Sequence, residues 1–205
     1  MKYDPEKRHR RSIRLKGYDY AQPGAYFVTI CTQNRQCLFG NVVDGNMMLN
    51  RFGEIVWSEW FRTARIRPYV QLYESEFVVM PNHVHGIIWI VDSPNHDVNT
   101  VGATGRSPLP DGPQYPRGPK SQSLGAIIAG FKSAVTRRIN NMRGTPGTPV
   151  WQRNYYEHIV RDENELNRIR EYINNNPLQW ALDRENPDVR TTGRSSRPKD
   201  EPWRI

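Results

Sequence analysis

The stretch Val78-Val79-Met80-Pro81-Asn82-His83-Val84-His85-Gly86-Ile87-Ile88-Trp89-Ile90 decides how this chain is read. Two apolar runs flank Pro81-Asn82. Proline suits the second place of a turn and asparagine the third. The spacing therefore predicts two strands over residues 76–91, with His83 and His85 opening the returning one. Side chains alternate across a strand, so both imidazoles point to the same face. Neutral imidazole is a good metal ligand and is costly to bury unpaired. The pair reads as two ligands on a rigid platform. Taken singly, His83 is equally a turn histidine and His85 a satisfied core histidine.

Outward from this stretch, strands and helices alternate. Ala25 to Thr32 is β-branched and aromatic and reads as a buried strand. Asp44-Gly45 is a strong turn dipeptide, which predicts a small hairpin over residues 37–49. Phe52, Ile55, Val56, Trp57, Trp60 and Phe61 recur at helical spacing and place a helix over residues 50–65. A second helix runs from Ser121 to about Met142 on a stripe of Leu124, Ile127, Ile128, Phe131, Val135 and Ile139, with Ser121 or Ser123 as its cap. Residues 150–160 read as a further strand. Asp162, with Glu165 three residues on, starts a third helix. The order predicts an α+β fold: a ferredoxin-like antiparallel sheet with packed helices.

The chain has 205 residues, 37% of them hydrophobic, which is enough for one globular domain with a real core. We expect that domain over residues 21–183. Residues 1–20 form a basic arm, residues 92–120 a proline- and glycine-rich flexible insertion, and residues 184–205 a polar, basic, loosely held tail. The net charge of +8 points to an anionic partner, nucleic acid first. Arg8, Arg10, Arg11, Arg14 and Lys16 of the arm, with Lys132 and Arg137 of the second helix, are the candidate phosphate contacts. Tyr155 and Tyr156 are candidates to stack unpaired bases; core packing is the plainer reading for one of them and for Trp151. Cys31 and Cys37 have neither a zinc nor a disulfide spacing and read as buried free thiols. No run approaches the ~18 apolar residues of a membrane span, and a cytoplasmic setting fits.

The third helix carries Arg170-Glu171-Tyr172-Ile173-Asn174-Asn175-Asn176-Pro177. Leu166, Ile169 and Ile173 form its apolar stripe, which frees Tyr172 for a polar cleft. Tyr172 and Asn176 are four apart and lie one above the other. Packed beside the histidine strand, this helix would let His83, His85 and Asn176 hold one divalent cation, with Tyr172 aimed at a phosphorus. A phosphodiester repels nucleophiles through its anionic oxygens; a cation neutralises that charge and fixes in-line attack. Tyr172 is otherwise a core tyrosine. Asn176 has its own rival role. A residue before proline is pushed out of the helical region, so Asn176 equally reads as the cap of a new short helix over residues 177–182. His158 reads as structural or near DNA.

Together the segment from Val78 to Ile90, the Tyr172–Asn176 helix, the intervening Trp151-Gln152-Arg153-Asn154-Tyr155-Tyr156-Glu157-His158, and the opening Arg10-Arg11-Ser12-Ile13-Arg14-Leu15-Lys16-Gly17-Tyr18-Asp19-Tyr20 resemble the REP-associated tyrosine transposases. These are single-tyrosine members of the HUH endonuclease superfamily. The resemblance spans residues 10–183. It implies that His83 and His85 are the metal pair, Asn176 the third ligand and Tyr172 the nucleophile. It implies magnesium or manganese as cofactor. It also implies single-stranded DNA beside a hairpin as substrate, and a 5′-phosphotyrosine intermediate that leaves a free 3′ hydroxyl. A monomer is favoured, with a dimer the other possibility. Two imidazoles and an amide are softer than magnesium's usual oxygen shell, so the donor set favours manganese. Two other readings stand beside this one: a DNA-hairpin binding protein with vestigial catalysis, and a metallohydrolase with no covalent step.

Overall fold

The computed structural model describes residue 15 and residues 17–92, 118–183 and 185–191. Arg8, Arg10, Arg11, Arg14 and Lys16 lie outside the described residues. So do the body of the expected insertion, residues 93–117, and the end of the tail, residues 192–205.

The strand at Gly24–Cys31 (β1) forms the axis of the main sheet. On one side it pairs antiparallel with His83–Ile90 (β6) along its whole length. On the other it pairs with Tyr156–Ile159 (β7). The short strands Val70–Gln71 (β4) and Phe77–Val79 (β5) both pair antiparallel with β6. The path β5, β6, β1, β7 is the ferredoxin-like order, reached through two crossovers. The first contains the helix Arg51–Arg65 (α1) and the second the helix Leu124–Arg143 (α2). The expected α+β fold is therefore present.

A separate hairpin, Gly40–Val43 (β2) with Asn46–Leu49 (β3), turns at Asp44-Gly45. Both turn residues have positive φ, 50° and 73°, as the tight turns that match strand twist require. Asn50 then caps α1, its side chain accepting from the amides of Phe52 and Gly53. Ser123 caps α2 in the same way, and α2 ends at Gly144 with φ 66°.

The sheet has a helix layer on each face. Val28, Ile30, Val84, Ile88 and Ile90 face α1 and α2 and pack with Trp60, Ile127, Phe131 and Val135. Trp60 stacks on Phe77 with ring centroids 4.4 Å apart. Gly86 makes room for that stack, since a methyl group there would meet the Trp60 ring at 2.5 Å. On the other face Ala25, Phe27 and Ile87 pack against Leu166, Ile169 and Ile173 of the helix Glu163–Gln179 (α3). Buried Glu76 fixes that helix's rotation. It accepts two bonds from Arg170, at 2.6 and 2.9 Å, and one from the Trp89 indole at 2.6 Å.

Four expectations need correction. The strand expected over residues 150–160 is interrupted: Trp151 forms an isolated bridge to Thr32, and a regular strand forms only over Tyr156–Ile159. Between them the carbonyls of residues 152–154 turn to the Lys132 ammonium, at 2.9, 3.3 and 3.2 Å, while the Gln152 amide still donates to the Cys31 carbonyl. Pro177 does not break the third helix: α3 continues to Gln179 and tightens into the 3-10 turn Trp180–Leu182. The lost proline N–H concerns only the carbonyl of Ile173, near the helix end where such bonds are already incomplete. The tail just past Asp183 is not loosely held. Glu185 and Asn186 are buried, and a short helix, Pro187–Thr191 (α4), follows. Their anchors are hydrogen bonds rather than apolar contacts: Asn82 donates to the carbonyl of Glu185, and Asn186 donates to the carbonyl of Trp180. Finally, the thiols are free, but Cys31 is half-buried and Cys37 exposed. Among the described residues, no helix is long and apolar enough to cross a membrane.

Candidate functional site

The α3-facing side of β6 changes chemistry along its length. Trp89 and Ile87 continue the apolar packing under α3; His85 and His83 replace it at the strand's entry. Register places Thr29 of β1 beside His85, and Cys31 beside His83. Helix α3 passes over this end and brings Tyr172 onto His85. The structure thus brings the three distant segments together. The two imidazole centroids are 4.6 Å apart. The Tyr172 ring lies 5.1 Å from His85, and its hydroxyl 3.4 Å from His85 Nε2. Tyr172 is half-buried and braced edge-on against Phe27.

His83 is fully buried, and its proton position follows from its neighbour. The Asn82 side chain donates through Nδ2 to the carbonyls of Arg35 and Glu185, at 3.1 and 2.6 Å. Its Oδ1 is therefore the acceptor facing His83 Nδ1 at 2.9 Å, so Nδ1 carries the proton. The lone pair then sits on Nε2, the nitrogen that faces the site. This is how metal-ligating histidines are usually held, with the second nitrogen donating to an oxygen. His85 is held by the Thr29 hydroxyl, 2.8 Å from its Nδ1, with Nε2 toward Tyr172.

Asn176 is 4% exposed and lies inside α3, so its reading as a helix cap falls. Its Oδ1 is buried and finds no hydrogen-bond partner among the described residues. Leaving a buried acceptor unsatisfied costs ~1–3 kcal/mol, and a native fold keeps such a group for a reason. A buried amide oxygen one turn from Tyr172, whose hydroxyl reaches His85, is the kind of donor a divalent ion takes. Among the described residues there is no group of three His, Cys, Asp and Glu side chains able to hold one, so the amide is needed to complete a three-donor set.

The other candidates lie elsewhere. Lys132 is engaged by three backbone carbonyls and stands 5.5 Å from the centre of the Tyr155 ring. Burial lowers its pKa to about 8. It is a loop clamp rather than the phosphate contact expected of it. Arg137 is exposed on an open cleft of about 590 Å³ with Thr136, Asn140, Gln152 and Arg153. Tyr155 packs against the α1/α2 core and Tyr156 against Phe27; both are half-buried. Trp151 is buried. His158 pairs with Glu165 at 2.8 Å, and that same carboxylate accepts the Arg161 amide just ahead of α3, so this histidine is structural. Sequence reasoning missed Asn82 and Asp183. Asn82 was visible only as a turn residue. Asp183 was assigned to the domain's last position with no role, yet its Oδ2 is 3.8 Å from His83 Nε2.

The chain is similar in fold to a REP-associated tyrosine transposase solved bound to a REP hairpin. The TM-score is 0.50 at 17% identity, over 82% of this chain and 74% of that one. No family model matches the sequence. The chain belongs to the same family as an uncharacterised protein of Haemophilus influenzae, with which it is 42% identical over 185 residues, 89% of this chain and 96% of that protein.

Proposed function

We propose that the protein nicks and rejoins single-stranded DNA at hairpin sites through a phosphotyrosine on Tyr172, using a divalent metal ion, magnesium or manganese. The observation that carries this reading is the approach of the Tyr172 hydroxyl to within 3.4 Å of His85 Nε2, with the His83 ring 4.6 Å from that of His85 and the buried Asn176 Oδ1 one helical turn from Tyr172. His83, His85 and Asn176 would hold the ion. When bound, it would supply positive charge to the phosphate and lower the cost of attack by an anion.

The protein's own groups do the rest. The Phe27 ring and the turn of α3 hold the phenol in place, so little orientational freedom is lost at reaction. A phenol titrates near 10, so its proton must leave as the oxygen attacks. The Tyr172 oxygen forms a bond to phosphorus, and the bond from phosphorus to the 3′ oxygen breaks. The departing 3′ oxygen takes up a proton, which balances the one lost by the phenol. The 5′ phosphate stays on the enzyme as an ester. A 3′ hydroxyl from another strand can reverse the step and join to it, which hydrolysis by water could not achieve. The chain's net positive charge suits a polyanionic substrate.

A labelled hairpin oligonucleotide incubated with the protein and Mn²⁺ should yield a denaturation-resistant protein–DNA adduct. Tyr172→Phe should abolish the adduct and leave hairpin binding intact. Tight binding by the wild type with no adduct would establish the vestigial binder instead. Cleavage retained by Tyr172→Phe would establish a metallohydrolase.

A further inference from the structure

The C-terminal half of α2 and the segment of residues 146–153 face each other across the open cleft of about 590 Å³. Small-ligand pockets run ~300–1,000 Å³, so this one takes a segment of single strand rather than a duplex. Arg137 lines it from the helix and Arg153 from the segment opposite, and both are exposed. Neither guanidinium has an ion pair or a hydrogen bond among the described residues, and no acidic side chain lines the cleft. Arg138, next in sequence, shows the contrast: it is paired with Glu59 at 2.7 Å. Both walls are fixed before any ligand arrives. Lys132 ties the carbonyls of residues 152–154 to α2. Buried Asn140 donates to the Thr148 carbonyl at 2.8 Å, and Arg143 donates to the same carbonyl at 3.3 Å. A preformed site loses little freedom on binding. The same segment also reaches the candidate site's end of the sheet. Trp151 bridges Thr32, and the Gln152 amide donates to the Cys31 carbonyl at 2.9 Å. Cys31 stands beside His83 in the register. Two strand spacings, about 10 Å, therefore separate this segment's backbone from that of His83.

We propose that this cleft binds the sugar-phosphate backbone of an unpaired nucleic-acid segment next to the phosphodiester that Tyr172 would attack, with Arg137 and Arg153 each holding a phosphate. This rests on the strand-transfer reading above. A guanidinium presents a planar fork of donors that matches two phosphate oxygens, and it stays charged at any working pH. The Lys132 ammonium is engaged by the loop carbonyls, so it adds charge to the cleft rather than a contact. The exposed Ser133 hydroxyl and Asn141 amide also line the cleft and suit sugar and base edges, which a single strand leaves open and a duplex covers. The Trp151 ring is buried against Phe39 and Phe131 and offers no face for a base to stack on. Binding here is therefore a matter of charge and backbone, and tolerates many base sequences.

The test uses the full chain, without metal ion, and a short fluorescent oligothymidylate that forms no hairpin. Combining Arg137→Gln with Arg153→Gln should weaken binding at least about tenfold and flatten the slope of log K against log salt by about 1.4, about 0.7 for each phosphate released. Both side chains are exposed and hold no partner in the fold, so the melting temperature should not move. Arg65→Gln removes an exposed charge outside the cleft and should change affinity by less than about twofold. In wild-type protein labelled at the arginine side-chain nitrogens, the oligothymidylate should shift the Arg137 and Arg153 resonances, a readout that needs no variant. The inference is overturned if the double variant keeps the wild-type affinity and slope, if Arg65→Gln weakens binding as much, or if the two resonances stay in place. It is overturned too if oligoglutamate displaces the oligothymidylate at equal charge, which would make the cleft a site for acidic peptide, or if the double substitution weakens a blunt duplex as much as the single strand. A wild type that binds oligothymidylate through the two arginines yet forms no DNA adduct would overturn the strand-transfer reading alone. A wild type that forms the adduct, with a double variant that binds oligothymidylate unchanged, would overturn the cleft alone.

Discussion

The two faces of β6 obey different rules. Toward α1 and α2 the strand presents Val84, Gly86, Ile88 and Ile90, all apolar, and the rings of Trp60 and Phe77 fill the space over Gly86. Toward α3 the same strand presents His83, His85, Ile87 and Trp89, and only the last two pack as core. One face maximises burial. The other keeps polar atoms in a buried place and holds them with an orderly second layer of hydrogen bonds. The contrast teaches that the packed core of this domain and its candidate site lie on opposite sides of one strand, so each can be perturbed separately.

The sharpest break should come from His85→Ala. It removes an imidazole from the α3 side and touches nothing on the other. Adduct formation should vanish while the melting temperature moves little. A collapse in stability instead would show that His85 is a core residue. Trp60→Ala is its mirror image, with an expected loss of ~3–5 kcal/mol in denaturant unfolding and an intact metal affinity in the folded fraction. Gly86→Ala should cost ~1–3 kcal/mol, because the added methyl drives into the Trp60 ring. A neutral result would mean that the stack yields easily. The smallest effect, and opposite in sign, is expected for Asn176→Leu. Replacing a buried acceptor that lacks a partner by an apolar side chain of similar volume should stabilise the fold by ~1 kcal/mol while metal binding is lost. Destabilisation would show that the amide oxygen is satisfied within the fold.

Much of this division could be read from residue order. Alternation in the run from His83 to Ile90 put both histidines on one face, and the helical stripe of Leu166, Ile169 and Ile173 placed Tyr172 beside it rather than within it. Asp44-Gly45 marked its turn, and Asp162 its helix start. The parts that escaped share a cause. Residues 152–154 look strand-like in isolation, but a lysine twenty residues earlier in the chain takes their carbonyls. Pro177 looks like a stop, but it falls where little of the helix remains to be broken. Glu185 and Asn186 look like solvated tail because hydropathy scores side chains, whereas here long-range backbone and side-chain hydrogen bonds hold them. Such contacts depend on which distant groups meet, and local pattern carries no trace of them.

The bridge through Asn82 gives the chain an internal proof of completion. A ribosome that stops before Glu185 has already made every strand of the sheet and all of α3, yet it releases a product in which Asn82 lacks one of its two carbonyl anchors. The Arg35 carbonyl then holds that amide alone, so the imidazole it orients is set less firmly.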